Sequence, residues 1–422
     1  MFKTRVFKFS AVALGLTLLG LLIYQIPAVK TRLAWRLDIA QAYLRGVVNP
    51  AGAVPTPVSV FVPPFTEATK SPAPLPSPTA SPPPESTEMP TASPTLLPSP
   101  TPTAIPESAQ LPAPEWARQD WNNCGPAALT MYLRFYGWEG DQFEISDLLK
   151  PARNDRNVNV DELDYYVRNY AGWLETMYRV DGNAAMLKQF VAAGIPVIVE
   201  VSFYFEAPYW PNDDLWAAHY LLVTGYDDAS QTFTVQDTFK GPNRTIRYAM
   251  LDELWQPFNR LLMLVYLPSQ EETVQDILGE NWDEEANREN ALATARAEIE
   301  ADPDDAYAWF NLGTNLLYFE RYEEAAQAYD QARQIGWPQR MLRYQFGPFF
   351  AYFHTGRNDD LLALTEYALQ ITPRSEEAHL WYGWGLYRQG DVNGAVAEFR
   401  TALEINPNYW DAQYALDFVL GE

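Results

Sequence analysis

Four prolines, Pro303, Pro338, Pro373 and Pro407, recur at steps of 34–35 residues, and Gly356 and Gly390 keep the same step. No other feature restricts the fold as much. A period of this length marks one supersecondary unit, repeated, that buries its apolar face only against its neighbours. The segments AWFNLGTNLLYFERYEEAAQAYDQARQIGWP and HLWYGWGLYRQGDVNGAVAEFRTALEINP superimpose. In each, small residues recur where two antiparallel helices must approach closely, and aromatic residues fill the gap above them. The middle copy, 340–373, departs from the pattern: Thr365 stands where an aromatic is expected, and FGPFF breaks the first helix. EEANRENALATARAEIEADP reads as a preceding half-repeat and YWDAQYALDFVLG as a closing helix. Residues 283–422 therefore read as an all-α solenoid of about three repeats with helical ends, enough to stack a continuous core.

Trp309, Leu312, Gly313, Ala325, Tyr329 and Ala332 in the first copy occupy the places expected of a tetratricopeptide repeat. So do Gly383, Ala395, Phe399, Ala402 and Pro407 in the last. The array resembles that family, which implies a concave face for a peptide or protein partner. The alternative is that the repeats pack on the rest of the chain and stabilise it. His354 and His379 fall inside repeat helices and read as packing or surface residues, not ligands.

At the other end, FSAVALGLTLLGLLIYQIPAV (9–29) is long enough to cross a bilayer. It is long for a signal-peptide core and no clear A-x-A site follows, so residues 1–30 read as an uncleaved transmembrane signal anchor. Lys3, Arg5 and Lys8 precede the run and Lys30, Arg32, Arg36 and Arg45 follow it, so the positive-inside rule decides little about orientation. Residues 31–50 read as a short amphipathic helix at the membrane surface. Residues 51–114 are dominated by Pro, Thr and Ser; they lack apolar periodicity and backbone donors and read as a disordered, partly polyproline spacer. Stalks of this kind hold a domain away from an outer membrane face. A single-pass membrane protein with extracytoplasmic folded domains is expected, with a flexible intracellular linker as the alternative; anchor and architecture together suggest a bacterium.

Between stalk and repeats, residues 115–268 hold the chain's one cysteine. A lone cysteine excludes an internal disulfide and a Cys-rich zinc site. The three histidines show no metal-ligand spacing, and no cofactor motif is present. DRNVNVDE (155–162) fails as a calcium loop, with Val160 where the turn needs glycine and Tyr166 where a bidentate glutamate belongs. A net charge of −24 disfavours nucleic acid, whose binding rests on Lys and Arg.

In QDWNNCGPAALTMYLRFYG, Asn122 or Asn123 suits an N-cap and Pro126 the first helical turn, so Cys124 stands at a helix N-terminus. Helix dipole and free N–H groups there favour the nucleophilic thiolate. A lone cysteine is otherwise a small buried hydrophobe. The base would be His219, which opens the apolar strand-like run of WAAHYLLVTGYDD. Asp237 closes TFTVQD, the returning strand of the hairpin, which brings both side chains to the same end; there a carboxylate can hold the imidazole. Asp227 is a rival orienter, and Asp237 can also cap the next turn. Gln119 can donate to an oxyanion, as can the Cys124 N–H.

Q-x4-CGPAAL, AAHYLLVTGYDD and VQDTF resemble the peptidase C39-like family of the papain-like superfamily. The resemblance implies an α+β papain-like fold, a Cys-bearing helix on an antiparallel sheet, with Cys124 as nucleophile, His219 as base and acid, Asp237 as orienter and Gln119 in the oxyanion hole. The Gln-to-Cys interval is one residue shorter than is common in papain-like enzymes. Helices are expected near 123–136, 143–150, 160–171 and 183–193, and strands near 174–179, 196–204, 219–226, 231–236, 243–248 and 260–267. The aromatic loop YFEAPYWPNDDLWAAH reads equally as a groove wall or as a clamp over its own core. The function expected is a membrane-tethered cysteine peptidase-like hydrolase acting on a peptide or protein. The alternatives are a non-catalytic scaffold and a thiol acyltransferase.

Overall fold

A computed structural model describes residues 15, 27–50, 52–58, 105–151 and 158–421. The expected membrane span, apart from Gly15 and its last residues, and the middle of the spacer, 59–104, lie outside the described residues. Among the described residues no helix is long and apolar enough to cross a membrane. Helix α1 (Pro27–Val48) runs without a break through residue 30, where anchor and surface helix were expected to meet.

The strands are β1 (Ser108–Gln110), β2 (Glu175–Arg179), β3 (Val197–Tyr204), β4 (Trp216–Asp227), β5 (Thr232–Asp237), β6 (Gly241–Arg247) and β7 (Leu262–Tyr266). They form one antiparallel sheet in the order β2-β7-β3-β4-β5-β6, with β1 on β4. Its central strands are apolar on both faces, and period-2 alternation sends their side chains to two cores. Ile198, Tyr220, Leu222, Met263 and Val265 meet α2 (Cys124–Phe135), α3 (Gln142–Leu149) and α4 (Val160–Tyr170) on one face. Val199, Leu221, Val223, Leu262 and Leu264 meet α5 (Ala184–Ala192), α6 (Tyr248–Trp255) and α7 (Glu271–Leu278) on the other. The run Ala127–Leu133 has no solvent exposure, so α2 is central and Cys124 is fixed at its end.

The expected helices and strands of this region are present with small shifts at their ends. Strand β4 starts at Trp216, three residues before His219, while β1, α6 and α7 were not anticipated. The spacer is ordered at both ends. Arg333 donates to Pro55 O through Nε and Nη2 (3.0 and 2.7 Å), and Val58 N donates to Asp360 (3.0 Å). At the far end, β1 pairs with β4 and the Tyr226 hydroxyl donates to Pro106 O. A segment that cannot build its own core can still dock on another, because an extended proline-rich chain presents carbonyls that a buried guanidinium satisfies.

The helical array comprises α8 (Glu284–Ala301), the pairs α9–α10 (Ala306–Tyr318, Tyr322–Ile335), α11–α12 (Gly347–His354, Asn358–Ile371) and α13–α14 (Glu376–Gln389, Val392–Ile405), and α15 (Trp410–Leu420). The glycines of the pattern mark close approach: a Cβ at Gly313 would lie 2.8 Å from the Tyr329 ring, and at Gly383 2.5 Å from Phe399. The middle pair is irregular, but FGPFF starts its first helix where it was expected to break it. Helix α11 begins only at Gly347, and the residues before it form a 3-10 turn at Met341–Arg343 that reaches the sheet domain. Trp216 stacks on Phe258 (5.7 Å, 8°) with Tyr344 against its edge, and Trp210 donates to Gln339 (2.8 Å). Trp210 and Trp216 are thus buried with the repeat core. The repeats pack on the sheet domain, and these two aromatics of the 204–219 stretch are buried against the repeats, where they were expected as a groove wall or as a clamp over their own core.

Candidate active site

Strand register brings His219 and Asp237 together. Asp237 pairs with Leu221, two residues along β4 from His219 and on the same face. His219 Nε2 lies 2.9 Å from Asp237 Oδ1, and both side chains are buried. Asp237 also accepts from the N–H groups of Phe239 and Lys240, each at 2.8 Å, so it caps the turn and holds the ring at once. The rival Asp227 is occupied at the β4–β5 turn by Ala229 N and Ser230 Oγ. On its other side the imidazole is hydrogen-bonded to Cys124. Nε2 is engaged by Asp237, so Nδ1 is the nitrogen left for the sulfur.

Gln119 reaches the same place through Thr238, the residue after Asp237. Its N–H donates to Thr238 O (3.0 Å), and the Thr238 hydroxyl donates to Gln119 Oε1 (2.7 Å), which fixes the amide. Trp116 Nε1 donates to Asp237 O (2.9 Å) and ties the strand end to the same segment. Asn123 holds the N-cap position, but its side chain makes no cap bond; it donates instead to Gln142 Oε1 (2.8 Å). Gln142 also accepts from Asp120 N and donates to Arg118 O, so one side chain braces the whole loop before the cysteine. Asn122 has a left-handed backbone (φ 51°), tolerable for asparagine. Lys150 holds its carbonyl (2.7 Å) and Arg343 of the repeats its side-chain oxygen (2.9 Å).

These contacts set the charges. Burial pushes the Cys124 thiol up, but the bond and charge of His219, the Tyr220 backbone and the Lys150 charge outweigh it, and the thiol lies below its ordinary value. Burial pulls His219 down, yet its bonds to Asp237 and Cys124 raise it to about 9. Asp237 is raised by burial but lowered, on balance, by His219 and two backbone N–H groups. The arrangement favours a thiolate–imidazolium pair near neutral pH, able to attack a carbonyl and return a proton to the leaving group. Among the described residues, no group of three or more His, Cys, Asp or Glu is placed to hold a metal. His354 stacks on Tyr322, and His379 bonds to Glu398 and the Pro373 carbonyl.

Sequence reasoning missed Thr238, Gln142, Lys150, Arg343 and Glu200. Only Glu200 left a signal, as the one charge in the buried strand VIVEVSFY. It faces Tyr220 across the ladder, and burial, then the nearby Cys124 charge, raise it to about 8 from 4.5. Between those two values the folded chain keeps a proton that the unfolded chain has released, so this group's contribution falls as pH rises through the window. Glu200→Gln is therefore expected to melt close to wild type at pH 5 and to gain roughly 2–4 kcal/mol over it by pH 8.5. Paired thermal melts check this; a difference that does not change with pH would refute it.

Residues 104–263 match the model of the Peptidase_C39 like family, and residues 284–340 and 376–409 match tetratricopeptide repeat models. Residues 104–263 form a peptidase C39-like domain, and tetratricopeptide repeats follow it. No curated protein matches the chain. Among solved structures, a putative C39-like peptidase from Bacillus anthracis is similar at 15% identity, over 38% of this chain and 94% of that one, with a TM-score of 0.27. The double glycine motif protease from an AMS/PCAT transporter, solved with its leader peptide, is similar at 16% identity over 38% and 94%, with a TM-score of 0.28. YrrB, a tetratricopeptide protein with an unusual peptide-binding site, is similar at 20% identity over 36% and 80%, with a TM-score of 0.29. In the C39-like domain the loop before Cys124 is thus braced from both sides, by Gln142 and Lys150 within it and by Arg343 from the repeats.

Proposed function

We propose that the chain is a thiol hydrolase that cleaves a peptide or related amide bond in a papain-like domain. The reading is carried by the hydrogen-bonded series Cys124–His219–Asp237. The Cys124 thiolate attacks the carbonyl carbon. The Gln119 amide and the Cys124 N–H receive the developing oxyanion. His219 Nδ1–H gives its proton to the leaving amine, whose bond to carbon breaks and leaves a thioester. His219 then takes a proton from water as its oxygen attacks the thioester carbon, and the carbon–sulfur bond breaks to release the acid and restore the thiolate beside the imidazolium. Asp237 keeps the imidazole in place throughout and itself stays ionised. In an acyltransferase an amine replaces that water. The N-terminal apolar run tethers this hydrolase to a membrane, with the folded domains outside the cytoplasm. The repeats hold the loop before Cys124, and the exposed aromatics Trp410, Tyr414 and Phe418 on the last helix offer a face to a protein partner.

Because Cys124 is the chain's sole cysteine, labelling is unambiguous. A thiol-directed acyl probe at pH 7 is expected to modify the native protein once, at Cys124, and not to modify Cys124→Ala. Native, folded protein that ignores the probe would leave the scaffold as the better description.

A further inference from the structure

A cavity of about 400 Å³ opens beside the loop that carries Cys124, and Trp121 and Asn122 form part of its wall. Four arginines from three separate stretches line it: Arg45 from α1, Arg340 and Arg343 from the 3-10 turn of the irregular repeat, and Arg374 from the α12–α13 connection. Among the described residues no carboxylate lines it, in a chain with 54 acidic residues against 30 basic ones. Arg340 is neutralised by Asp213 and Asp214. Arg45, Arg343 and Arg374 have no ion pair among the described residues. Arg343 spends one nitrogen on the neutral amide of Asn122, and its Nε is fully buried without a partner. Burial also pulls Arg45 down from its ordinary value. Aromatic walls lower the dielectric beside Arg45 and Arg343 and focus the field of the arginines, while Arg374 stands exposed at the edge. Guanidinium groups in such a setting match a carboxylate in geometry as well as sign.

We propose that this cavity is a subsite for a carboxylate of the substrate, so that the enzyme prefers peptides carrying an acidic side chain, or their own C-terminus, within about three residues of the scissile bond. The proposal rests on the thiol-hydrolase reading. It gives the repeats a further role. Their broken copy supplies two of the arginines, so the array shapes the substrate site directly.

The test uses the full chain and three N-bromoacetyl tripeptides. One is an amide with a central glutamate, one an amide with a central glutamine, and one an all-alanine peptide with a free C-terminal carboxylate. In each the Cys124 sulfur displaces bromide and forms a thioether, read by mass. At low salt at least one carboxylate probe is expected to react about tenfold faster than the glutamine probe. The faster of the two tells side chain from terminus. The advantage should shrink in about 0.5 M salt and approach unity in Arg343→Gln/Arg374→Gln. Equal rates for all three probes, or an advantage that survives the double substitution, would overturn the subsite and leave the hydrolase reading standing. Failure of every probe on folded protein would instead overturn the hydrolase.

Discussion

His219→Ala is expected to slow alkylation of Cys124 at pH 7 by roughly 10- to 100-fold. Burial raises the thiol, and His219 supplies the largest opposing contribution, through both a hydrogen bond and its charge. Without the imidazole only the Tyr220 backbone and the Lys150 charge oppose burial, and the thiolate fraction at neutral pH falls. The more basic thiolate is intrinsically more reactive, which returns part of that loss. The shape of the profile is as diagnostic as the rate. Wild type should stay reactive to lower pH than the variant, whose rate should rise steadily into the alkaline range. Turnover should add an alkaline limb near pH 9, where His219 loses the proton it must give to the leaving amine. Asp237→Asn should keep the pair but weaken it, because Oδ1 also anchors the turn through Phe239 and Lys240. Its cost in turnover is expected to be roughly 10²- to 10⁴-fold. Iodoacetamide kinetics from pH 5 to 10 check these profiles. Superimposable curves for wild type and His219→Ala would sink the ion pair.

What could be read from the residues followed from local periodicity. Cys124 was legible because Gly125 and Pro126 place it at the head of an apolar helix. His219 and Asp237 were legible because one hairpin returns the chain to the same end. The partners that tune them were not. Thr238, Gln142 and Lys150 are ordinary polar residues in sequence, and their roles come from convergence of segments about 20 to 120 residues apart. The aromatic loop was ambiguous for a related reason. Trp210 and Trp216 look alike in sequence, and only the repeats, which bury both, show what they pack against. The repeat pattern was legible, but FGPFF opens α11 where it was expected to break it, and the use of that late start was hidden. Shortening α11 frees residues 338–346 from helical register, and they become the contact with the C39-like domain. The spacer shows the limit of composition, since proline content excludes a self-made core but says nothing about docking on Arg333.

That contact carries the other large effect. Arg340→Met is expected to cost roughly 3–5 kcal/mol at pH 7, the range for stripping one partner from a buried ion pair. Arg340 Nη1 and Nη2 meet Asp213 at 2.5 and 2.7 Å, Nη1 also donates to Trp216 O, and the guanidinium lies 4.0 Å over the Trp210 ring. Both side chains are almost without exposure. Asp213 additionally accepts from the N–H groups of Tyr209 and Leu215, so methionine would leave an ionised carboxylate in place at the centre of the interface. Burial raises Asp213, but Arg340 and these N–H groups lower it below its ordinary value. A carboxyl depressed in the folded state contributes stability above its unfolded pKa, about 3.9, and loses it as pH falls through the folded value. The gap between Arg340→Met and wild type should therefore be widest near neutrality and narrow below pH 4, where Asp213 of the variant is protonated. Arg340→Met/Asp213→Asn should recover part of the loss at pH 7, because the amide keeps an acceptor for the backbone and carries no charge. Thermal melts of the three proteins at pH 3.5 and 7 decide the matter. A single variant within about 1 kcal/mol of wild type at neutral pH would mean that the domains are joined by the Trp216–Phe258–Tyr344 stack and not by this pair.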